Sequence, residues 1–287
     1  MQKRLRRLAP LLIVLCGCHS APTTAGSPAA DDPLLGGIDE ASFMAMHELD
    51  TTDPGEANGT DVTVEVPGLG PMACYLALPP EHDGSSLPGV IVIHEWWGPN
   101  AHIRLWTDRL AAEGYAALAV DLYDGTVATT REGAMAAMRS VNGDEARRRL
   151  QAAHRWLSDA HCDGGARPTA SIGWCFGGGW SLAMAMEVEE LDGAVVYYGR
   201  TDIDPERAAR TSTRVLGIYA ERDGWIGPDY VRALGLELET AGVDFQWAIY
   251  PADHAFANPS SAVYDHEQAA LAWERSSAFL ADVLTGR

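Results

Sequence analysis

Two kinds of apolar pattern succeed one another along the chain. Asp61-Val62-Thr63-Val64-Glu65-Val66 alternates with period two, and so does Ala73 to Leu78 after the turn Pro67-Gly68-Leu69-Gly70. Such alternation predicts an antiparallel hairpin with one buried face. Gly89-Val90-Ile91-Val92-Ile93-His94 is instead a continuous apolar run, the mark of a strand covered on both faces. From there helical and extended signals alternate. Helices are predicted over Ile103–Glu113, Arg131–Arg139, Asp144–Ala160, from Gly179, over Asp229–Thr240 and over Val263–Leu284. Strands are predicted over Tyr115–Val120, Thr169–Ile172, Gly193–Tyr198, Arg214–Tyr219 and Phe245–Tyr250. Upstream of the hairpin, Leu34 to Asp50 predicts one short helix around Phe43-Met44-Ala45-Met46. A hairpin leading into repeated β-α units predicts an α/β fold with a doubly wound, mostly parallel sheet. Sites in such sheets form at the carboxyl ends of the strands.

The first residues stand apart from this pattern. Lys3-Arg4-Leu5-Arg6-Arg7 is basic, and Leu8 to Leu15 is apolar but too short to span a bilayer. Leu15-Cys16-Gly17-Cys18 resembles a bacterial lipobox, which would make residues 1–17 a signal peptide and Cys18 the lipidated N-terminus. The other reading is an ordinary cleaved signal with incidental cysteines. His19 to Pro33 is dense in Ala, Pro, Thr, Ser and Gly and reads as a tether. The expected organisation is therefore signal peptide 1–17, tether and N-terminal extension 18–59, and one domain over 60–287. The expected location is the cell envelope, with the membrane reached only through the N-terminal anchor.

Length and charge narrow the partners. A chain of 287 residues holds one large α/β domain. Its 21 basic residues include four in the first ten positions, which contain no acid, leaving 17 against 40 acidic residues and a net charge of −23 beyond them. Such a surface repels nucleic acid and anionic headgroups. Past Cys18 the cysteines are Cys74, Cys162 and Cys175. An envelope location permits a Cys74–Cys162 disulfide, and the odd thiol, Cys175, is then the reactive candidate.

Cys175 sits in Gly173-Trp174-Cys175-Phe176-Gly177-Gly178, between a short strand and a helix. Strand, sharp turn and helix with G-x-C-x-G-G at the bend match a nucleophile elbow with Cys in place of Ser. The turn sets the side chain at a helix N-terminus, where the dipole favours a thiolate. Two later strands supply partners. Arg214–Tyr219 leads into Ala220-Glu221-Arg222-Asp223, and Phe245–Tyr250 into Pro251-Ala252-Asp253-His254. Nucleophile, acid and histidine in this order, each just past a parallel strand, are the α/β-hydrolase sequence of catalytic groups. The predicted roles are attack by Cys175, proton transfer by His254 and orientation of its ring by Asp223.

A fourth segment, His94-Glu95-Trp96-Trp97-Gly98, ends the buried strand. It is not a zincin, because Gly98 stands where the second histidine would be. Backbone N–H groups of Trp96 and Phe176 are the predicted oxyanion hole, and Glu95 would lie beside the thiol. No metal site is predicted.

Together with Asp121-Leu122-Tyr123, Tyr197-Tyr198-Gly199 and His254-Ala255-Phe256-Ala257-Asn258, these segments resemble the dienelactone hydrolase family over about Thr60 to Leu284. The resemblance implies a single-domain α/β-hydrolase, active without a cofactor, that cleaves small esters or lactones through a thioester. It further implies a resting thiol held near Glu95, whose carboxylate takes the proton when substrate binds. Two positions depart from the family. Its substrate-binding arginines after Asp-Leu-Tyr and after the catalytic His are replaced by Asp124-Gly125 and Asn258. That argues against a carboxylated lactone and for an aromatic-lined pocket, with Trp97, Tyr123 and Trp225, beside Trp96, as candidates. A non-catalytic envelope binding protein on the same scaffold is the alternative, and it has no need of the full Cys/His/Asp/Glu set. A redox thiol protein is disfavoured, since the elbow has no resolving cysteine.

Overall fold

A computed structural model describes residues 35–49, 54–159 and 167–286. The expected signal, the lipidation of Cys18, the tether and Cys162 all lie outside the described residues.

A short helix α1 (Glu40–Ala45) is followed by the hairpin β1 (Thr60–Val66) and β2 (Gly70–Ala77). The β-α units are β3 (Gly89–Ile93), α2 (Ala101–Ala112), β4 (Ala116–Val120), α3 (Arg131–Ser140) and α4 (Gly143–Asp159). They continue with β5 (Thr169–Trp174), α5 (Phe176–Glu187), β6 (Gly193–Tyr197), α6 (Pro205–Ala208) and β7 (Arg214–Ala220). The chain closes with α7 (Pro228–Ala241), β8 (Phe245–Tyr250) and α8 (His266–Thr285). One eight-stranded sheet runs in the order β1-β2-β4-β3-β5-β6-β7-β8. β2 pairs antiparallel with β1 and β4, and the other pairings are parallel. This is the doubly wound, mostly parallel sheet with an N-terminal antiparallel hairpin that the pattern predicted, as the α/β-hydrolase resemblance also implied.

β3, β4, β5 and β6 are buried along their whole length, as continuous apolar runs require when helices cover both faces. On one face α2 and α8 bury Trp106, Leu110, Trp273 and Phe279. On the other, α3, α4, α5 and α7 bury Met135, Leu150, Leu182 and Leu234. Each such side chain contributes about 2 kcal/mol by its removal from water. Among the described residues, no helix is long and apolar enough to cross a membrane. Cys74 is a free thiol buried on β2, and burial pushes it up to about 12.

α5 begins at Phe176, three residues before the run that predicted it. Gly177 and Gly178 are poor helix formers, yet close packing requires them. A Cβ on Gly177 would lie 2.2 Å from the Ile93 carbonyl oxygen, and one on Gly173 would lie 2.1 Å from that of Gly177. The helix thereby presses its first turn onto the ends of β3 and β5.

The described part of the N-terminal extension is built into the domain. Asp39 caps α1 by accepting from the Ser42 N–H at 3.0 Å, and Leu35 and Phe43 are fully buried. Arg139 pairs with Glu40 at 2.9 Å, and Arg131 Nε donates to the His47 carbonyl at 2.7 Å. An antiparallel bridge from Leu49 to Ser261 fixes the far end.

Candidate active site

Cys175 occupies the bend between β5 and α5 with φ 52° and ψ −114°. A positive φ at a non-glycine residue is strained and persists where the surroundings over-determine it. Here the Cys175 N–H donates to the Tyr197 carbonyl at 3.0 Å, and the Cys175 carbonyl accepts from the Gly179 N–H at 3.1 Å. The side chain is thrust out of the sheet at the carboxyl edge. Backbone N–H groups of Phe176 and Trp96 are directed at its sulfur, the two donors the sequence had assigned to one hole.

Asp223, just past β7, accepts from the Trp225 and Ile226 N–H groups through Oδ1, each at 2.8 Å. Its Oδ2 accepts from His254 Nδ1 at 2.6 Å. Burial pushes the Asp223 carboxyl up, but the charge and hydrogen bond of His254 outweigh it and leave the group below its usual range. Because Nδ1 carries the proton given to Asp223, the Nε2 lone pair is free, and that nitrogen is buried without a partner. The three predicted partners converge: His254 Nε2 and Cys175 Sγ lie within 4.8 Å of one another.

A third group completes this cluster, and sequence reasoning had not named it. His47, two residues beyond α1, donates from Nδ1 to the Phe43 carbonyl at 2.8 Å. Its Nε2 faces Cys175 Sγ at 3.3 Å. The ring is wedged between Phe43, Trp96 and His254, with centroid separations of 4.4, 4.4 and 4.9 Å. Burial first, and then the neighbouring His254, push this imidazole down to about 3, so it is neutral. The only sequence signal was a histidine just after an apolar helical run.

Glu95 is close enough to raise the thiol further. Burial is the larger cause of the high Cys175 value, and the Glu95 charge adds to it. Its own carboxyl is pushed up to about 8 by burial, against the pull of hydrogen bonds from Asn258 and Ser260. Asn258 Nδ2 donates to Glu95 Oε1, while Glu95 Oε2 has no partner. His94 is fully committed to structure. Its Nδ1 donates to the Glu95 carbonyl at 2.7 Å and its Nε2 accepts from the Leu122 N–H at 3.1 Å.

A cavity of about 310 Å³ opens from the thiol, lined by Met138, Phe176, Trp180 and Trp225 among others. Of the three aromatic residues expected in the pocket, only Trp225 lines it. Trp97 packs on Trp96 at 4.9 Å and Tyr123 against His94 and Phe176 at 4.5 and 5.2 Å, so both serve the core behind the site. The positions of the missing family arginines have other uses. Asp124 pairs with Arg149 at 2.6 Å, and Asn258 holds Glu95. Arg147 and Arg200 line the cavity instead; Arg147 is engaged by Glu187 at 2.7 Å and Arg200 stacks over Tyr230 at 4.9 Å.

Comparison with known proteins finds relatives over most of the chain. The chain is 32% identical over 207 residues to protein usf of Aquifex pyrophilus, covering 69% of this chain and 89% of that one. It is 32% identical over 230 residues to a protein of Saccharolobus solfataricus named "Putative carboxymethylenebutenolidase", covering 67% and 88%. A solved dienelactone hydrolase-like promiscuous phosphotriesterase from metagenomic libraries superposes with a TM-score of 0.69 at 26% identity, over 80% of this chain and 99% of that one. The sequence profile of the dienelactone hydrolase family matches residues 72–284. The chain belongs to the dienelactone hydrolase family.

Proposed function

We propose that this member of the family hydrolyses small carboxylic esters or lactones with Cys175 as nucleophile, His254 as proton carrier and Asp223 as the group that orients it. The observation that carries the reading is the convergence at one sulfur of a carboxylate-held imidazole and two backbone N–H donors. Cys175 Sγ attacks the acyl carbon while its proton passes to His254 Nε2. The carbonyl oxygen gains negative charge between the Trp96 and Phe176 N–H groups, where fixed donors stabilise it. Collapse expels the alkoxide, which takes the proton from His254 and leaves a thioester. Water, losing a proton to His254, then releases the acid and restores the thiol.

Glu95 acts on the resting state. Beside a buried thiol, a carboxyl that titrates near 8 disfavours the thiolate wherever it is ionised, until substrate rearranges the site. With its side chain held by Asn258 and Ser260, the carboxyl is kept off the path of the attacking sulfur. The substrate fits a cavity whose walls are mainly apolar and whose two arginines are engaged by Glu187 and Tyr230, so uncharged acyl groups are favoured over carboxylated lactones. An ester panel with Cys175→Ala as control tests both claims: hydrolysis is lost in the variant, and wild type prefers neutral acyl groups. Full activity in Cys175→Ala, or a strong preference for a carboxylated lactone, contradicts the reading.

We further propose an envelope location with a lipid anchor at Cys18, on the strength of Leu15-Cys16-Gly17-Cys18 after a basic and apolar leader. Detergent-phase partitioning of the native protein that is lost in Cys18→Ser supports it, and identical aqueous behaviour of the two refutes it.

A further inference from the structure

His47 comes from outside the matched family region, residues 72–284, and the hydrolytic steps above do not use it. Its position changes what the thiol can bind. We propose that His47, Cys175 and His254 form a binding site for one soft divalent transition cation of the Zn²⁺ class, which caps the thiol reversibly.

The ligand atoms His47 Nε2, Cys175 Sγ and His254 Nε2 all lie within 4.8 Å of one another, with 3.3 Å between the first two. Ligands at Zn–S of about 2.3 Å and Zn–N of about 2.0–2.1 Å in a tetrahedron stand roughly 3.5 Å apart. The cluster therefore reaches that geometry by side-chain shifts of about an ångström. Both imidazoles are presented in the required tautomer. His254 gives its Nδ1 proton to Asp223 at 2.6 Å, and His47 gives its own to the Phe43 carbonyl at 2.8 Å. Each lone pair at Nε2 is thus turned to the sulfur side, and these two acceptors are the carboxylate and carbonyl partners that orient histidine ligands at metal centres. His254 Nε2 is buried with no other partner.

Thiolate and imidazole together select zinc-like cations over Mg²⁺ or Ca²⁺. Binding displaces the thiol proton to solvent: the cation gains one thiolate and two neutral nitrogens, and one proton leaves per ion. Three protein ligands leave a fourth position for water or another exogenous ligand. The cation would occupy the thiol that attacks substrate, so its effect on the proposed hydrolysis is inhibition relieved by a chelator.

The test reads binding, independently of catalysis. Full-length, reduced, metal-stripped protein is titrated with Co²⁺ and followed by the sulfur-to-cobalt charge-transfer band in the near ultraviolet, then back-titrated with Zn²⁺. One equivalent per chain produces the band and Zn²⁺ abolishes it. Cys175→Ala removes the band, whereas Cys16→Ser/Cys18→Ser leaves it. His47→Gln and His254→Gln each weaken affinity at least tenfold, as loss of a ligand costs no less than loss of its orienting partner. Two histidine variants guard against misfolding of either one, and circular dichroism reports the fold of both. A band that survives Cys175→Ala, or affinity unchanged in whichever histidine variant folds, overturns the site. An enzyme that hydrolyses esters through Cys175 yet gives no band overturns the site alone. A band with the expected ligand dependence in a protein without esterase activity overturns the proposed function alone.

Discussion

His47 Nε2 lies 3.3 Å from Cys175 Sγ across a separation of 128 residues. The segment that delivers it is anchored by a cap, two arginine contacts and a bridge to Ser261. The resting thiol is consequently covered on one side by an imidazole and not merely set beside a carboxylate.

Removing that ring uncovers the sulfur. His47→Ala is expected to accelerate alkylation of Cys175 by iodoacetamide severalfold and to cost about 1–3 kcal/mol of stability through lost packing on Phe43 and Trp96. Alkylation kinetics followed by mass spectrometry check the first effect and urea unfolding the second. Unchanged alkylation would show that access to the thiol is controlled elsewhere.

Stability should fall as pH rises from 6.5 to 8, because of Glu95. Its carboxyl titrates near 8 in the folded protein and at an ordinary 4.5 when unfolded, so between those values the native state holds a proton that the unfolded state has lost. By linkage, stability declines through that window. His47 works in the opposite sense: near 3 folded and 6.5 unfolded, it adds stability above 6.5 that is lost as pH falls toward 3. The two slopes oppose below 6.5, leaving the upper window to Glu95. Urea midpoints at pH 6.5, 7.25 and 8 should decline in wild type and stay flatter in Glu95→Gln; equal slopes would contradict the assignment.

The elbow tolerates no side chain at Gly177. An added Cβ meets backbone oxygens of Ile93 at 2.2 Å and His94 at 2.5 Å, and backbone cannot swing away as a side chain would. Gly177→Ala is expected to cost about 3 kcal/mol and to abolish activity by displacing the Phe176 and Trp96 donors. Thermal unfolding and an esterase assay measure both, and a stable, active variant would contradict the packing.

What the sequence showed depended on whether chemistry coincided with periodic structure. Cys175, Asp223 and His254 each follow a strand in the β-α alternation, so chain order alone brought them to one edge. Glu95 and Trp96 were legible for the same reason. His47 was not, because a lone histidine after a six-residue helix has no periodicity to place it, and its contacts are made across the whole domain. Trp97 and Tyr123 were misassigned to the pocket because aromatic residues near a strand end face the cavity or the core with the same sequence signature. Arg147 and Arg200 reach the cavity from a helix start and a loop, and no spacing rule marks such positions. The early start of α5 was hidden by its glycines, whose poor helix propensity is overridden by the close approach to β3.

The most direct test of the account is intact-protein and peptide mass spectrometry after brief incubation with activated aryl esters. The account predicts a mass increase equal to the acyl group, located on Cys175, that decays as product acid forms and is absent from Cys175→Ala. Ester turnover with no adduct on Cys175, together with undiminished turnover by Cys175→Ala, would contradict it.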